Sequence, residues 1–437
     1  MAAETAVTSK PLPAIYGRSP YVALGILFLV NILNTIDRNL LVVLNEPIKL
    51  EFALSDAQVG LLSTAFAISY AAAGFPIGMA VDRVSRRGII AGCLSLWSGM
   101  TALCGVATSH VQLLLARIGV GAGEAGSGPA TLSLLSEYFP VERRATMTSV
   151  YYLSTAVGIT AGMAVGGWIA QTLGWRATFL IAAAPAVVLV PLMFLLVPEP
   201  ARSSGVKDME QSSLGAFLGF LRIQTSLRWI IIGNIINVLV ISGLGAWFVS
   251  YMLREHGTGL ARLGLHAGLI HGALGIIGTL AGGMLADRLS RSDARRGLWL
   301  VAVSCLLTGL TFIGLVLSPS VALAMSFYVF YCLFSSIWFG PVYSLILTLV
   351  VPRMRGKSSA FLYVTTNLAG YGVGAPLVGY LSDRIGGGSA AGLGTALIIV
   401  ASLSGAAATC LLMASRTLRA DLARSAEHSE GRWARPD

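Results

Sequence analysis

The stretch GMAVDRVSR at residues 78–86 returns, little changed, as GMLADRLSR at residues 283–291. Beyond these copies the offset between matching positions settles at 212, where Gly128–Pro129 pairs with Gly340–Pro341. At the same offset, three glycines of one segment align with three glycines of another: Gly158, Gly162 and Gly167 match Gly370, Gly374 and Gly379. Repeated agreement at one offset indicates an internal duplication. We therefore predict a chain built from two related halves.

Composition places both halves in a membrane. Of the 437 residues, 55% are hydrophobic and only 11% are charged, and the mean hydropathy is +0.76. A soluble protein of this length needs more surface charge. The cysteines fall in apolar segments without ligand spacing, so we expect no disulfide, metal site or cofactor. The first 20 residues lack the apolar core of a cleavable signal.

Apolar segments near the ~20 residues that a bilayer requires recur twelve times along the chain. They lie at 20–46, 57–80, 88–108, 112–138, 145–172, 176–197, 228–253, 264–286, 297–317, 320–350, 356–382 and 391–414. With the duplication, they predict an all-α integral membrane protein with twelve transmembrane helices in two six-helix halves. In transporters of this kind the halves rock about a central site.

The same spans divide the chain into five parts. We expect a cytosolic segment at 1–19, the two halves at 20–197 and 228–414, a cytosolic linker at 198–227 and a cytosolic tail at 415–437. Within the linker, LGAFLGFLRI is expected to form a short amphipathic helix on the cytosolic surface. The charged tail is expected to be frayed.

Topology explains the formal net charge of +10. When the spans alternate, most Lys and Arg residues fall on the side where the chain starts. The other side receives Lys49, Arg176, Arg254, Arg262 and Arg384. This positive-inside pattern predicts cytosolic termini in the inner (cytoplasmic) membrane, and it argues against nucleic acid as a partner.

Charged residues inside the spans break the symmetry of the duplication. Glu124 aligns with Ser336 and Arg117 with Val329. Away from the span ends there are four such charges, and all belong to the first half: Asp37, Arg38, Arg117 and Glu124. An ionisable residue within a membrane is a functional hypothesis by default. We therefore take these four residues as the candidate proton-coupling and substrate-binding site.

Helix geometry predicts how these four charges meet. At ~1.5 Å per residue, Asp37 lies roughly 24 Å along the first span, about 6 Å from the outer side of a ~30 Å core. Arg117 reaches a similar depth, so we expect a salt bridge between Asp37 and Arg117. Glu124 lies about 16 Å in, near the midplane. Arg38 points about 100° away from Asp37, toward the centre or toward Glu124.

These positions lead to a proton-carrier hypothesis. Burial favours a neutral carboxyl group, whereas a neighbouring arginine favours the charged form. Alternating exposure of the Glu124 carboxyl group to Arg117 or Arg38 would let it bind and release a proton. Asp37 and the two arginines would adjust the proton affinity of Glu124 and bind a substrate head group. A purely structural ion-pair cluster that ties the first helix to the fourth remains the alternative.

GFPIGMAVDRVSRRG (74–88) resembles the signature loop of the major facilitator superfamily, with Ala80 where Leu is common and Ser85 where Gly is common. The resemblance covers essentially the whole chain and implies a monomeric transporter. We expect Gly78 to allow a close helix approach at a cytosolic gate. The resemblance implies that Asp82 stabilises one conformational state. Arg83, Arg86 and Arg87 are expected to anchor the loop to anionic lipid.

NTIDR (34–38) and RIGVGAGEAG (117–126) resemble the spinster branch of that superfamily, bacterial type. The branch includes transporters of sphingolipids and lysophospholipids. This resemblance implies roles in coupling and head-group contact for the four intramembrane charges. Symporters of organic anions and sugar acids carry a similar Asp-Arg pair. GITAGMAVGG (158–167) resembles a motif of antiporters, with Met163 where Pro is usual. This resemblance slightly favours export as the direction of transport.

The second half supplies neutral candidates for the cavity: Asn234, Asn237, Tyr331, Trp338, Tyr343 and Asn367. A cavity that is charged on one side and aromatic or neutral on the other suits an amphipathic substrate. His266 and His271 are interpreted as packing residues and are left out of the site.

Three readings of the function follow from these observations. The main one is a proton-coupled secondary transporter of a lysophospholipid or another amphipathic molecule, working by alternating access. The alternatives are a proton-coupled symporter of a small organic anion such as a sugar acid, and an efflux antiporter for drugs or metabolites. Catalytic triads, metal-ligand spacings and nucleotide-binding loops are absent from the sequence, which argues against an enzyme.

Overall fold

The computed structural model describes residues 20–81, 83–200, 214–351 and 354–429. This part of the chain is almost wholly helical. In the first half the helices are α1 Pro20–Phe52, α2 Asp56–Val81, α3 Arg86–Gly105, α4 His110–Glu124, α5 Ser127–Tyr138, α6 Val141–Leu173, α7 Trp175–Ala183 and α8 Ala186–Leu196.

A short helix, α9 Leu214–Ile223, precedes the second half. There the helices are α10 Thr225–His256, α11 Leu260–Ser290, α12 Ala294–Val316, α13 Val321–Ile337, α14 Phe339–Leu349, α15 Arg355–Asn367, α16 Ala375–Gly386 and α17 Ala390–Ser429. A π-helical segment, Leu368–Gly374, joins α15 to α16.

Ten helical stretches of the described chain are long and apolar enough to cross a membrane. Two of these stretches contain a short break, between α7 and α8 and between α13 and α14. The predicted fourth and eleventh spans are not among the ten, and each is divided into shorter helices: α4 and α5 in one case, α15, the π segment and α16 in the other. The all-α membrane fold is confirmed, and ten candidate spans together with these two divided ones are consistent with twelve.

Prolines account for the divided helices, because a proline has no backbone N–H for the carbonyl four residues earlier. Pro376, near the start of α16, leaves the carbonyl of Gly372 without its helical donor. The hydroxyl of Thr64 on α2 donates to that carbonyl at 2.9 Å instead. The break in the eleventh span is therefore satisfied by a side chain of the other half.

The linker helix is confirmed, since LGAFLGFLRI forms α9. Phe217 and Phe220 of this helix are buried, and the ring centroid of Phe217 lies 5.6 Å from that of Phe361 on α15. The helix therefore packs against the second half of the protein.

The prediction of a frayed tail is wrong for its described part, because α17 continues to Ser429. Asp421 is fully buried and accepts a hydrogen bond from the backbone amide of Ser226 at 2.6 Å. Gln224 donates to the hydroxyl of Ser425 at 2.9 Å, and Ser425 donates to the carbonyl of Leu349 at 2.6 Å. The tail thus closes over the junction of α9 and α10.

The two ends of the helical bundle differ. We call the end where α1 begins and α17 ends the terminal end, and the other the distal end. At the distal end, a Cβ built on Gly60 of α2 would lie 2.5 Å from the Cα of Pro376. One built on Gly264 of α11 would lie 2.3 Å from the carbonyl oxygen of Met163 on α6. Such close approaches require glycine and bring the two halves together.

The terminal end is open in this conformation. The paired glycines of the duplicated motif, Gly78 and Gly283, face open space: a Cβ on either would meet nothing within 4 Å. The close helix approach expected at Gly78 is therefore absent in this conformation.

Candidate functional site

The four intramembrane charges come together between α1 and α4 as two ion pairs. The Nε of Arg38 donates to Glu124 Oε2 at 2.6 Å, and Arg117 Nη1 lies 3.9 Å from Asp37 Oδ1. Both pairings match the helix geometry: Asp37 and Arg117 share a depth, and Arg38 turns toward Glu124. The predicted salt bridge between Asp37 and Arg117 is confirmed.

The two pairs differ in burial and in hydrogen bonding. Asp37, Arg117 and Glu124 are each at most 3% exposed, whereas the side chain of Arg38 is 19% exposed. Neither carboxylate oxygen of Asp37 has a hydrogen-bond partner within the described residues, nor does Glu124 Oε1. Arg38 is therefore the most exposed member of the cluster.

Aromatic rings of α2 hold the two arginines apart. The guanidinium of Arg38 lies 5.4 Å from the centroid of Phe66 and 4.9 Å from that of Tyr70, and Arg117 lies 5.1 Å from Phe66. Cation–π contacts of this kind stabilise arginine away from water. Gly121 makes room for them, because a Cβ there would lie 2.3 Å from the carbonyl oxygen of Phe66.

A cavity of about 440 Å³ lies between the two halves and is lined by Arg38, Arg117 and Glu124. The wall formed by the first half is also rich in neutral polar groups: Asn31, Asn34, Thr35, Asn39, Asn45 and Tyr151. Among the described lining residues, arginines occur on this wall alone. This row of asparagines on α1 is not among the predicted site residues, although its spacing along the helix is visible in the sequence.

The wall formed by the second half is neutral and aromatic, as expected, but its residues are different ones. It includes Ser242, His271, Tyr328, Phe339, Tyr363 and Tyr371. The six predicted candidates are absent from the described lining. Asn234 and Asn237 are 2% exposed. Tyr331, 1% exposed, donates to the carbonyl of Ile241 at 3.1 Å.

The remaining candidates also make contacts within their own half. Trp338 and Tyr343 flank Phe339, at ring-centroid distances of 5.6 Å and 4.7 Å. Asn367 donates to the carbonyl of Tyr363 at 2.8 Å. In these three cases a nearby aromatic residue, Phe339 or Tyr363, lines the cavity instead.

The signature loop is organised by ion pairs. Arg86 is 3% exposed, and its guanidinium donates to both oxygens of Glu137, at 2.5 Å and 3.0 Å, and to Glu199 at 3.0 Å. The expectation that Arg86 anchors the loop to lipid is wrong, because both carboxylates already occupy it inside the protein.

The other loop residues differ from Arg86. Arg87 donates to the carbonyls of Phe194 and Val197 at 3.2 Å and 3.3 Å, so it too is held by the protein. Arg83 is exposed and remains available to lipid head groups. Asp82 lies outside the described residues.

A polar network at the distal end was missed by sequence analysis. Asp56 of α2 is fully buried and accepts hydrogen bonds from Arg254 of α10, from Lys49 at 2.6 Å and from Ser382 at 2.6 Å. Arg254 also pairs with Glu46 at 2.9 Å. The signal in the sequence was weak, because each residue stands near a helix end, where charges are common.

Comparison with known proteins agrees with this architecture. The family model of the Major Facilitator Superfamily matches residues 27–370. An MFS-type efflux pump of Mycolicibacterium smegmatis is 33% identical over 413 residues, which cover 94% of this chain and 96% of that protein. A hexuronate transporter of Bacillus subtilis is 27% identical over 375 residues, covering 82% and 87%.

A solved structure also matches along nearly its whole length. It is the crystal structure of a bacterial homologue of the human lysosomal transporter Spinster, in an inward-facing and unoccupied conformation. The TM-score is 0.85 at 27% identity, over 95% of this chain and 99% of that one. On the family match, the duplicated multi-pass fold and this likeness, the chain belongs to the major facilitator superfamily and is a transporter of the spinster type.

Proposed function

We propose that the protein is a proton-coupled secondary transporter of an amphipathic molecule with an anionic head group, such as a lysophospholipid. The observation that carries the proposal is the placement of Arg38, which pairs with the buried Glu124 at 2.6 Å while facing the cavity. The guanidinium of Arg38 can therefore pair either with Glu124, the proposed proton-binding group, or with the substrate.

The orientation follows from the charge distribution along the chain. We assign the terminal end to the cytosol of the cell that makes the protein, within its inner membrane, because most Lys and Arg residues lie at that end. The cavity is then closed toward the outside and open toward the cytosol. This is the conformation named for the spinster homologue that it resembles.

Competition for Arg38 supplies the coupling. A charged Glu124 holds the guanidinium, whereas protonation of Glu124 removes the negative charge and frees Arg38 for an anionic head group. The two binding events therefore favour each other, and linkage makes the effect reciprocal. The Asp37–Arg117 pair sets the local field, and Arg117, which also lines the cavity, adds a second positive charge for the head group.

The uneven distribution of charge favours an amphipathic cargo. Arginines on one wall bind the head group, and the rings of Tyr328, Phe339 and Tyr371 on the other wall contact its apolar part. We propose that closing the open end brings the loop from Gly78 to Arg87 against the second half, with Asp82 stabilising the closed arrangement.

A second candidate is a small hydroxylated anion, as carried by the Bacillus subtilis hexuronate transporter. The row of asparagines on α1 favours it, because neutral amides bind sugar hydroxyls through hydrogen bonds. An efflux role, as named for the Mycolicibacterium smegmatis pump, concerns the direction of transport and is compatible with either cargo.

The test is flux of a labelled lysophospholipid into proteoliposomes under an imposed pH gradient. We expect the wild type to show gradient-dependent flux, which Glu124→Gln loses. Glu142→Gln, an exposed residue of α6, is the matched control and retains it. Gradient dependence that survives in Glu124→Gln contradicts the proton-carrier assignment. Flux of sugar acids without any lipid flux contradicts the lipid assignment and favours the second candidate.

A further inference from the structure

His271 of α11 lines the cavity on the wall formed by the second half, so it is more than the packing residue expected from the sequence. Its Nδ1 lies 3.3 Å from the hydroxyl of Tyr328. No hydrogen bond to its Nε2 occurs within the described residues. The ring therefore has one nitrogen held by the protein and a second with unused hydrogen-bonding capacity.

Tyr328 is itself held firmly. Its ring stacks on Phe248 with centroids 3.9 Å apart and planes at 8°, and it lies 5.8 Å from the ring of Tyr331. The hydroxyl of Tyr331 in turn donates to the backbone of α10. A histidine bound to such a fixed hydroxyl is held in one orientation before any ligand arrives.

The packing of α6 sets the depth of this pair in the membrane. A Cβ built on Gly272, next to His271, would lie 3.1 Å from the carbonyl oxygen of Ala156. Two residues along α6, a Cβ on Gly158 would lie 2.6 Å from Thr35 of α1. His271 and Thr35 therefore occupy the same level of the bundle.

That level is also the level of the charge cluster, because Arg38 follows Thr35 by less than one turn of α1. Arg38 and His271 thus line one cavity at matching depth, on opposite walls. A ligand held by both would join the first half to the second.

We propose that His271 is a substrate-binding residue that donates a hydrogen bond to a hydroxyl oxygen of the cargo. We assign Tyr328 as the donor and Nδ1 as the acceptor of their 3.3 Å contact, which places the ring proton on Nε2, where it can reach the cargo. The inference rests on the proposed function, in which an anionic group occupies Arg38. It narrows the substrate class to organic anions that carry a hydroxyl group.

Two probe pairs that differ in hydroxyl groups test the assignment. The first is 1-oleoyl-lysophosphatidate and its 2-deoxy analogue, which share the phosphate and the acyl chain. The second is glucuronate and hexanoate, two six-carbon carboxylates. Dissociation constants are measured for the purified full-length protein in lipid nanodiscs. Loss of one neutral hydrogen bond predicts a preference for the hydroxylated probe of about threefold to tenfold.

Variants show which residue causes the preference for the hydroxylated probe. His271→Phe is expected to abolish it by weakening only the hydroxylated probe, and His271→Gln, which keeps a donor, to retain part of it. Tyr328→Phe reduces it while leaving the ring stack in place. His266→Phe is the control, since His266 is exposed on the same helix. An unchanged preference in His271→Phe, or equal weakening of both probes, overturns the assignment.

The two hypotheses fail in different ways. If only the glucuronate pair binds and His271→Phe removes its discrimination, the lipid cargo is wrong and the histidine assignment stands. If lysophosphatidate binds and His271→Phe leaves its preference intact, the proposed function stands without His271. If none of the four probes binds, both the proposed function and the His271 assignment are overturned.

Discussion

Arg254 of the second half donates two hydrogen bonds, each of 2.8 Å, to the carboxylate of Asp56 in the first half. Asp56 is fully buried, and the side chain of Arg254 is 10% exposed. Asp383 adds a further link across the halves, because its oxygens accept the backbone amides of Asp56 and Ala57 at 2.9 Å and 2.8 Å. Together these contacts hold the distal end closed.

Asp56→Asn is expected to release that end. Removing one charge from a buried ion pair costs about 2 kcal/mol or more, which shifts the conformational equilibrium roughly thirtyfold. The readout is labelling of Ser63→Cys, a cavity position, by a membrane-impermeant thiol reagent from the distal side, with the native cysteines replaced.

Glu51→Gln is the control. It breaks an ion pair with Arg176 at the same end but within one half, so labelling of Ser63→Cys in this variant should stay at the wild-type rate. Equal labelling in Asp56→Asn and the control would exclude a gating role.

Glycines at the two ends should act on opposite conformations. Gly264→Leu places a side chain against the backbone of Met163, only 2.3 Å from a built Cβ, and should disfavour the distal-closed state by at least tenfold. Gly78→Leu meets open space here. It should leave this state intact and slow transport, which requires the terminal end to close.

Spin-label distances across each end distinguish these two outcomes. Gly264→Leu is expected to widen the distal end. Gly78→Leu is expected to keep the wild-type distances at both ends while transport slows. Wild-type transport in Gly78→Leu would show that close approach at this glycine is not needed in any state.

Arg86→Gln is expected to destabilise the first half. It leaves Glu137 and Glu199 without their shared cation, at a cost of about 1–3 kcal/mol because both carboxylates are partly exposed. The unfolding midpoint in detergent should therefore fall. Arg83→Gln, at an exposed site in the same loop, should leave the midpoint unchanged. Equal midpoints for the two variants would contradict a structural role for Arg86.

Glu199 should make stability depend on pH. Burial raises the pKa of Glu199, but hydrogen bonds from the Arg87 amide, the Ser85 hydroxyl and the Arg86 guanidinium outweigh burial and hold that pKa below its ordinary value. A carboxyl group with a depressed pKa stabilises the fold above its unfolded-state pKa, and this stability is lost as the pH falls toward the folded-state pKa.

The measurement is the unfolding midpoint of wild type and Glu199→Gln from pH 6 down through roughly pH 4. The difference between the two is expected to be largest at pH 6 and to shrink on acidification. Glu142→Gln, the exposed control, should follow the wild type throughout. A difference that stays constant with pH would mean that the carboxylate charge is not what stabilises the loop.

The sequence was enough to predict the charge cluster, because depth and facing along a straight helix follow from residue counting. Asp37, Arg38, Arg117 and Glu124 all lie in α1 or α4, before either helix ends. The pairing of each acid with its base then needed only the assumption that the first and fourth spans are neighbours.

The rest depended on features that residue counting cannot supply. Arg86 meets Glu137 and Glu199 from positions 51 and 113 residues away, so no local pattern shows the ion pairs. Asn234, Asn237 and Tyr331 are buried among other helices, and residue counting along one helix does not show which of its faces its neighbours cover. His271 was discounted because a lone membrane histidine has no distinguishing pattern.

The confinement of the cavity arginines to one wall has a consequence for engineering. If the proposed function holds, the residues that bind the proton and the anionic group can stay fixed while the neutral wall is varied, so energy source and cargo selectivity are separate targets. We expect a mutant library restricted to positions 242, 271, 339, 363 and 371 to yield altered cargo preferences with the driving force intact. A library on α1 and α4 should mostly yield uncoupled carriers.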